Sequence, residues 1–146
     1  MIITNFKDIP KWDSGFTFVS GCFDLIHPGH LDLLNYAASF GKKVVIALNT
    51  KQTICQLKGK NPIFSWAMRA SFLDKLKIVA FVIPLEDVDS RVLVRELKPK
   101  IWALGSDHAG EDFKEFKSIK ICFLKRDYYS STKQLEHIRE YLCGNG

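Results

Sequence analysis

Residues 16–41 read FTFVSGCFDLIHPGHLDLLNYAASFG, and the parsing of this stretch governs everything around it. FTFVSG (16–21) is short, apolar and rich in β-formers, the composition of a strand buried on both faces. In HLDLLNYAASF (30–40), Leu31, Leu34 and Ala38 recur at helical spacing on one face, and Gly41 supplies a C-terminal stop. Strand, short loop and helix in that order form the first half of a βαβ crossover, with two histidines flanking Pro28-Gly29 at the junction.

The same alternation continues to the end of the chain. KVVIALN (43–49), AFVIPL (80–85), KIWALG (100–105) and KICFLK (120–125) read as four further strands. Between them, SWAMRASFLDKLK (65–77) has Ser65 as N-cap and Met68, Phe72 and Leu76 as an apolar stripe. SRVLVRELK (90–98) stops before Pro99, and STKQLEHIREYL (131–142) opens on hydroxyl residues. Five strands alternating with helices predict an α/β, Rossmann-like fold with a parallel sheet covered on both faces. Ligands of such sheets lie beyond the carboxyl ends of the strands, near the switch in strand order. GCFDLIHPGH (21–30) therefore falls where a crevice should open.

A length of 146 residues, with 47% apolar and 25% charged, fits one globular domain with a full core. No apolar run approaches the roughly 18 residues that span a bilayer, and MIITNFKDIPKWDSG (1–15) lacks the layout of a signal peptide, so a cytoplasmic protein is expected, with no membrane partner. Cys22, Cys55, Cys122 and Cys143 are scattered without a CxxC pair, which points to reduced thiols. The net charge of +5 favours anionic partners. Its even spread, without a basic recognition helix, favours a small anionic ligand over nucleic acid.

The histidine pair has three readings. An HxxH supplies two ligands where zinc takes three or four, and although Asp24, His108 or a cysteine could join, no second spaced pair appears; no metal site is expected. Incidental packing is the second reading. Phosphate recognition is the third, and the surroundings favour it. Gly29 keeps the backbone bare, Pro28 suits a helix entry, and the first turn of the helix offers unpaired N–H groups with partial positive charge.

GCFDLIHPGH also resembles the G-x-F-D-x-x-H-x-G-H signature of the cytidylyltransferase-like nucleotidyltransferases, with Gly21, Phe23 and Asp24 at the matching offsets. Three further segments resemble the heptose-1-phosphate adenylyltransferases among them, so that the likeness runs over residues 15–142. These are Leu57-Lys58-Gly59 followed by Asn61-Pro62-Ile63 and the helix residue Arg69, then Gly105 and Asp107 after the fourth strand, then Ser130-Ser131-Thr132 at the last helix.

The resemblance implies a three-layer α/β/α domain over residues 1–146, with 1–14 as an N-terminal extension and five parallel strands in the order 3-2-1-4-5. It also implies transfer of a nucleotidyl group from ATP or CTP, with Mg²⁺ carried by the triphosphate, to a phosphorylated acceptor, and a homodimer. His27 and His30 would donate to the α-phosphate and to the bridging oxygen of the leaving group, and Lys58 would offset phosphate charge. Nucleotide contacts would come from Gly21, Cys22, Phe23, Asp24, Gly29, Arg69, Gly105, Asp107, Ser130, Ser131 and Thr132, and acceptor contacts from His108 and Lys60. Trp102, Tyr128 and Tyr129 are expected to pack rather than stack on a base, and His137 to be structural.

Two positions depart from the heptose-type pattern. Asn61 stands where an arginine is common, and ALGSDH (103–108) replaces the usual K-G-G-D-Y. LGSDHAGEDF (104–113) echoes the M-G-D-D-W…G-K-F-D of glycerol-3-phosphate cytidylyltransferases. That enzyme type, archaeal-type FAD synthase and a nucleotide-binding sensor without turnover are the alternatives to a sugar 1-phosphate adenylyltransferase.

Overall fold

In β2 (Lys43–Asn49), Val44, Ile46 and Leu48 turn to one face of a sheet while Val45 and Ala47 turn to the other, and all five are buried. Strands apolar on both faces need cover on both faces. The computed structural model, which describes residues 1–125 and 130–144, supplies it with two cores, one on each side. The sheet is parallel throughout and contains β1 (Phe16–Gly21), β2, β3 (Val79–Leu85), β4 (Ile101–Gly105) and β5 (Lys120–Leu124) in the order β3-β2-β1-β4-β5. This is the expected Rossmann-like α/β fold and strand order. The chain winds outward from β1 to β3, then crosses back to β4, so the crevice opens beyond the carboxyl ends of β1 and β4.

Helices α1 (Pro28–Ala38) and α3 (Trp66–Asp74) cover one face, burying Leu33, Leu34 and Ala37 of the first and Ala70 and Leu73 of the second. Helix α4 (Arg91–Leu97) covers the other with Leu93 and Val94, beside Phe113 and Phe116 from the segment that follows β4. Trp102 lies in this second core, edge-on to Phe18, Phe113 and Phe116. Residues 1–12 join the same face: Phe6, Ile9 and Trp12 pack on the core. The Ile3 N–H donates to the Val82 carbonyl at 2.9 Å, and the Val82 N–H to that of Met1 at 2.9 Å, along the outer edge of β3. Pro84 is tolerated in β3 because an edge strand can spare an N–H.

Two helical faces differ from the sequence reading. In α1 the buried side runs through Leu33, Leu34 and Ala37, and Leu31 is exposed. In α3 the stripe of Met68 and Phe72 is half exposed, and the buried face is Arg69, Ala70 and Leu73. The cause is Arg69, whose guanidinium finds partners beneath the end of the sheet and turns its own face inward. One helix was not anticipated. Helix α2 (Lys51–Lys58) has no apolar stripe, and only its caps mark it: Thr50 Oγ1 accepts the Thr53 N–H at 3.3 Å, and Gly59 closes it in the left-handed region at φ 67°. The last helix is α5 (Ser131–Leu142).

Candidate active site

The loop leaving β1 is held in a conformation few residues adopt freely. Phe23 and Leu25 both lie at φ 46°, in the left-handed region that favours glycine. Phe23 is buried against the His30 ring, centroids 5.1 Å apart, and a Cβ on Gly21 would stand 3.1 Å from Phe23 Cε2. Gly21 is thus the residue that lets this ring seat. Asp24 fixes the next turn by accepting the N–H groups of Ile63 at 2.6 Å and Phe64 at 3.0 Å.

Beneath the loop, Arg69 is 0% exposed. Its Nη1 donates to the carbonyls of Cys22 at 2.7 Å and Asn49 at 2.9 Å, and its Nε to that of Phe64 at 3.1 Å. One guanidinium therefore ties together the exits of β1 and β2 and the segment before α3. Burial draws its pKa below the ordinary value, opposed by the charge of Asp24.

The two histidines stand at the N-terminus of α1. His27 is the N-cap and nearly buried, Pro28 occupies the first helical position, and His30 lies within the first turn. Their rings stack at 3.8 Å with planes 25° apart. The His27 backbone N–H donates to His30 Nδ1 at 3.3 Å. With Nδ1 accepting, a neutral His30 carries its proton on Nε2, which makes that nitrogen a donor.

A cleft of about 490 Å³ runs along the carboxyl ends of the strands in front of this pair. It gathers most of the residues singled out in the sequence: Gly21, Cys22, Phe23, His27, Gly29 and His30 from the first crossover, Lys58 from the end of α2, Gly105, Asp107 and His108 after β4, and Ser130 and Thr132 at α5. Ser130 Oγ accepts the Lys133 N–H at 3.1 Å and so caps α5, bringing a second helix N-terminus to the same cleft.

Three of the expected contacts lie elsewhere. Arg69 lies under the cleft floor, with Nε and Nη1 donating to carbonyls and Nη2 buried without a hydrogen-bond partner. Asp24 and Lys60 line a small side cavity of about 40 Å³ with Asn61 and Pro62. The Ser131 side chain, Tyr128 and Tyr129 lie outside the described residues, and His137 is exposed on α5.

Asn49 was not anticipated. It ends β2 nearly buried on the cleft wall, donates from Nδ2 to Thr53 Oγ1 at 3.2 Å, and accepts from Cys22 Sγ at 3.7 Å. A polar residue closing an otherwise apolar strand at its carboxyl end was the available signal. Burial pushes the Cys22 thiol above its ordinary pKa, although Lys58 and Arg69 pull the other way, so Cys22 serves the wall as a neutral thiol.

Just after β4, on the cleft lining, His108 Nδ1 is 2.6 Å from Glu111 Oε1, and Glu111 Oε2 accepts from Arg91 Nη2 at 3.0 Å. These bonds, with His108 first and Arg91 after it, hold the Glu111 carboxyl below its ordinary pKa against the opposing effect of burial.

A model of the cytidylyltransferase-like family matches residues 18–138, which include most of β1, both histidines and most of α5. The chain belongs to the cytidylyltransferase-like family. This cytidylyltransferase-like chain is 33% identical over 145 residues to the "Bifunctional protein HldE" of Sulfurimonas denitrificans, covering 94% of itself and 29% of the relative. It is 36% identical over 123 residues to the protein of the same name from Nitrosococcus oceani, covering 80% and 26%. The chain thus spans less than a third of the length of these relatives. Among solved structures, a lipopolysaccharide core biosynthesis protein from Thermoplasma volcanium superposes with a TM-score of 0.62 at 28% identity, over 78% of this chain and 97% of that one. A pantoate–β-alanine ligase from Francisella tularensis shares the fold alone, at 16% identity and a TM-score of 0.61, over 90% of this chain and 69% of that one.

Proposed function

We propose that this domain is a nucleotidyltransferase that moves AMP from ATP to a heptose-type sugar 1-phosphate. The observation that carries the transfer chemistry is the bond from the His27 N–H to His30 Nδ1, which leaves His30 as an Nε2 donor in a cleft that two helix N-termini line. A donor held in advance stabilises charge that grows on a phosphate oxygen without reorganising at the moment of reaction.

A phosphate oxygen of the acceptor forms the new bond to the α-phosphorus, the bond from that phosphorus to the bridging oxygen breaks, and pyrophosphate leaves. A phosphomonoester has its second pKa near 6, so the acceptor is largely dianionic at neutral pH and needs no general base. The protein's task is alignment of two anions and stabilisation of the added charge. His27 and His30 serve the α-phosphate and the bridging oxygen. Lys58, lining the same cleft from the end of α2, receives the acceptor phosphate, and the N-terminus of α5 with Ser130 and Thr132 receives the β- and γ-phosphates.

A divalent cation such as Mg²⁺ suits the triphosphate itself, where it would neutralise charge. The carboxylates on the cleft wall include Asp32 and Asp107, and among the described residues no three His, Cys, Asp or Glu side chains converge on a metal position. The sugar 1-phosphate and the adenine base rest on resemblance: the LKG and NPI segments, the identity to the bifunctional relatives, and the likeness to a protein named for lipopolysaccharide core biosynthesis. A cytoplasmic location and a homodimer complete the proposal, and among the described residues no helix is long and apolar enough to cross a membrane.

The test is pyrophosphate release with Mg²⁺, crossing ATP and CTP against heptose 1-phosphate, glycerol 3-phosphate and FMN, with products identified by mass. An AMP–sugar product that disappears in His30→Ala supports the proposal. A CDP-polyol or FAD product would replace the substrate assignment and keep the class. Tight ATP binding with no product from any acceptor would favour a sensor.

A further inference from the structure

We propose that the end of the sheet opposite the cleft is a docking face for the anionic surface of a lipid bilayer, which the protein meets by adsorption with its cleft turned to solvent. The lysines that read as evenly spread along the sequence are gathered by the topology. In a parallel sheet every crossover returns to the same end, and the turns that enter β2, β3, β4 and β5 are GKK (41–43), KLK (75–77), KPK (98–100) and KSIK (117–120). Lys11 adds to them ahead of β1. The segments 11–15, 39–43, 74–78, 98–100 and 117–120 hold nine lysines, no arginine and two carboxylates, Asp13 and Asp74, so this end carries more positive charge than the net +5 of the whole chain.

Neighbouring strands set these turns side by side. The Lys120 N–H donates to the Lys100 carbonyl at 3.1 Å, the Lys100 N–H to the Phe16 carbonyl at 3.0 Å, and Phe16 is in register with Lys43. At about 4.8 Å between strands, Lys43 and Lys120 stand about 14 Å apart, and the five strands make a row about 20 Å wide. Lys43, Lys75, Lys77, Lys98, Lys100 and Lys117 are exposed, and the ion pairs of the described residues engage none of them. Lys42 donates to the Ser14 carbonyl at 2.6 Å, and Asp74 is taken by the Met1 ammonium at 2.6 Å. Helix ends account for part of the charge. α1, α3 and α4 all finish here, and a cation past a helix C-terminus offsets about half a charge per helix. Three such ends call for about one and a half charges, against nine lysines.

The chemistry of the face selects among polyanions. It has no arginine, the residue that grips single phosphates and bases with a planar fork. The helices present carbonyls here rather than N–H groups, so no phosphate is drawn into close contact with the backbone. The aromatics at this end are half-buried: Trp12 packs on Phe16 and Phe81, and Phe40 on Tyr36 beneath the Lys120 ammonium, so neither offers a base a stacking face. Protein–protein interfaces are depleted in lysine and built around an apolar centre, whereas Leu76, Pro99 and Ile119 of these turns are buried or half-buried. The face is a broad array of hydrated point charges on short turns, suited to the diffuse potential of anionic lipid headgroups. The expectation of no membrane partner rests on the lack of a spanning run, and adsorption needs no such run.

The test is flotation of the whole chain with vesicles of phosphatidylcholine, alone and with about 30% phosphatidylglycerol, at about 0.1 M and about 0.5 M salt. The protein should bind the anionic vesicles at the lower salt, leave them at the higher, and ignore the neutral ones. Lys77→Gln should weaken binding about fivefold, the factor of one lysine near a charged bilayer. Lys51→Gln, which removes the same charge at the start of α2 on the cleft end, should change it by less than about twofold. Lys75→Gln, Lys77→Gln, Lys100→Gln and Lys117→Gln together should abolish binding at a melting temperature close to that of the wild type. No binding to anionic vesicles at the lower salt overturns the proposal. An equal loss from Lys51→Gln and Lys77→Gln does so too, because net charge would then be the cause. A short RNA duplex or polyglutamate that strips the protein from the vesicles at equal anion concentration overturns it in favour of a nucleic acid or an acidic protein.

Discussion

Asp24 and Arg69 hold the same residue from opposite sides: the Phe64 N–H goes to Asp24 Oδ1 at 3.0 Å, and the Phe64 carbonyl takes Arg69 Nε at 3.1 Å. The segment leading into α3 is thereby fastened to the loop that carries the histidines. Replacing Arg69 with Lys keeps a charge and loses the planar fork that reaches three carbonyls. Stability to urea should fall by about 2–3 kcal/mol, as buried carbonyls lose their donors. ATP affinity of the folded protein should barely change. A large loss of ATP affinity at wild-type stability would place Arg69 on the ligand instead.

His30→Ala removes a donor that matters most when charge develops. Turnover should drop by about 100-fold to 1,000-fold, the scale seen when a single oxyanion donor is lost. The dissociation constant for ATP should move by no more than about threefold, since the contact is made chiefly in the transition state. Single-turnover rates and equilibrium binding, measured side by side, separate the two. Equal losses in both would assign His30 to ground-state binding.

Gly59 sits at φ 67°, with nothing within 4 Å of where a Cβ would stand. Gly59→Ala therefore tests backbone strain alone, and it should lower stability by about 1 kcal/mol. Asn, which tolerates the left-handed region, should cost less. Thermal unfolding of the three proteins gives the order, and Ala equal to Gly would mean that the turn relaxes freely.

The Glu111 carboxyl is held below its ordinary pKa by His108 and then Arg91. A depressed carboxylate contributes stability that is complete above the unfolded value, near 4.3, and is lost as pH falls through the folded value. Because the side chain is 44% exposed, the contribution should be only a few tenths of a kcal/mol after solvent screening. Urea midpoints between pH 7 and about pH 3 should fall less steeply in Glu111→Gln than in the wild type. Parallel curves would show that the pair adds nothing to folding.

Most of the scaffold was readable because it rests on local pattern. Strands 16–21 and 43–49 and helix 131–142 lie where their composition placed them, and the histidine loop falls between strand and helix as its glycines and proline suggested. Helix α2 escaped because KQTICQLK buries only Thr53 and Ile54, too little to make a stripe. The burial of Arg69 was not legible for a different reason. Its burial depends on carbonyls from residues 22, 49 and 64 converging on one point, and no local periodicity encodes that meeting. The bond between His108 and Glu111 is short in sequence, but its value depends on Arg91, twenty residues earlier on another helix.

The outer side of β3 has a consequence for how molecules of this protein meet one another. Met1 and Ile3 occupy the backbone groups of Val82, and Pro84 leaves the strand one donor short. An incoming strand from another molecule thus finds its template already taken in the middle and defective near the end. Without the first three residues, that edge would offer a free N–H and carbonyl at Val82 beside Ala80, Phe81 and Ile83, and chain-to-chain strand pairing would gain its foothold there.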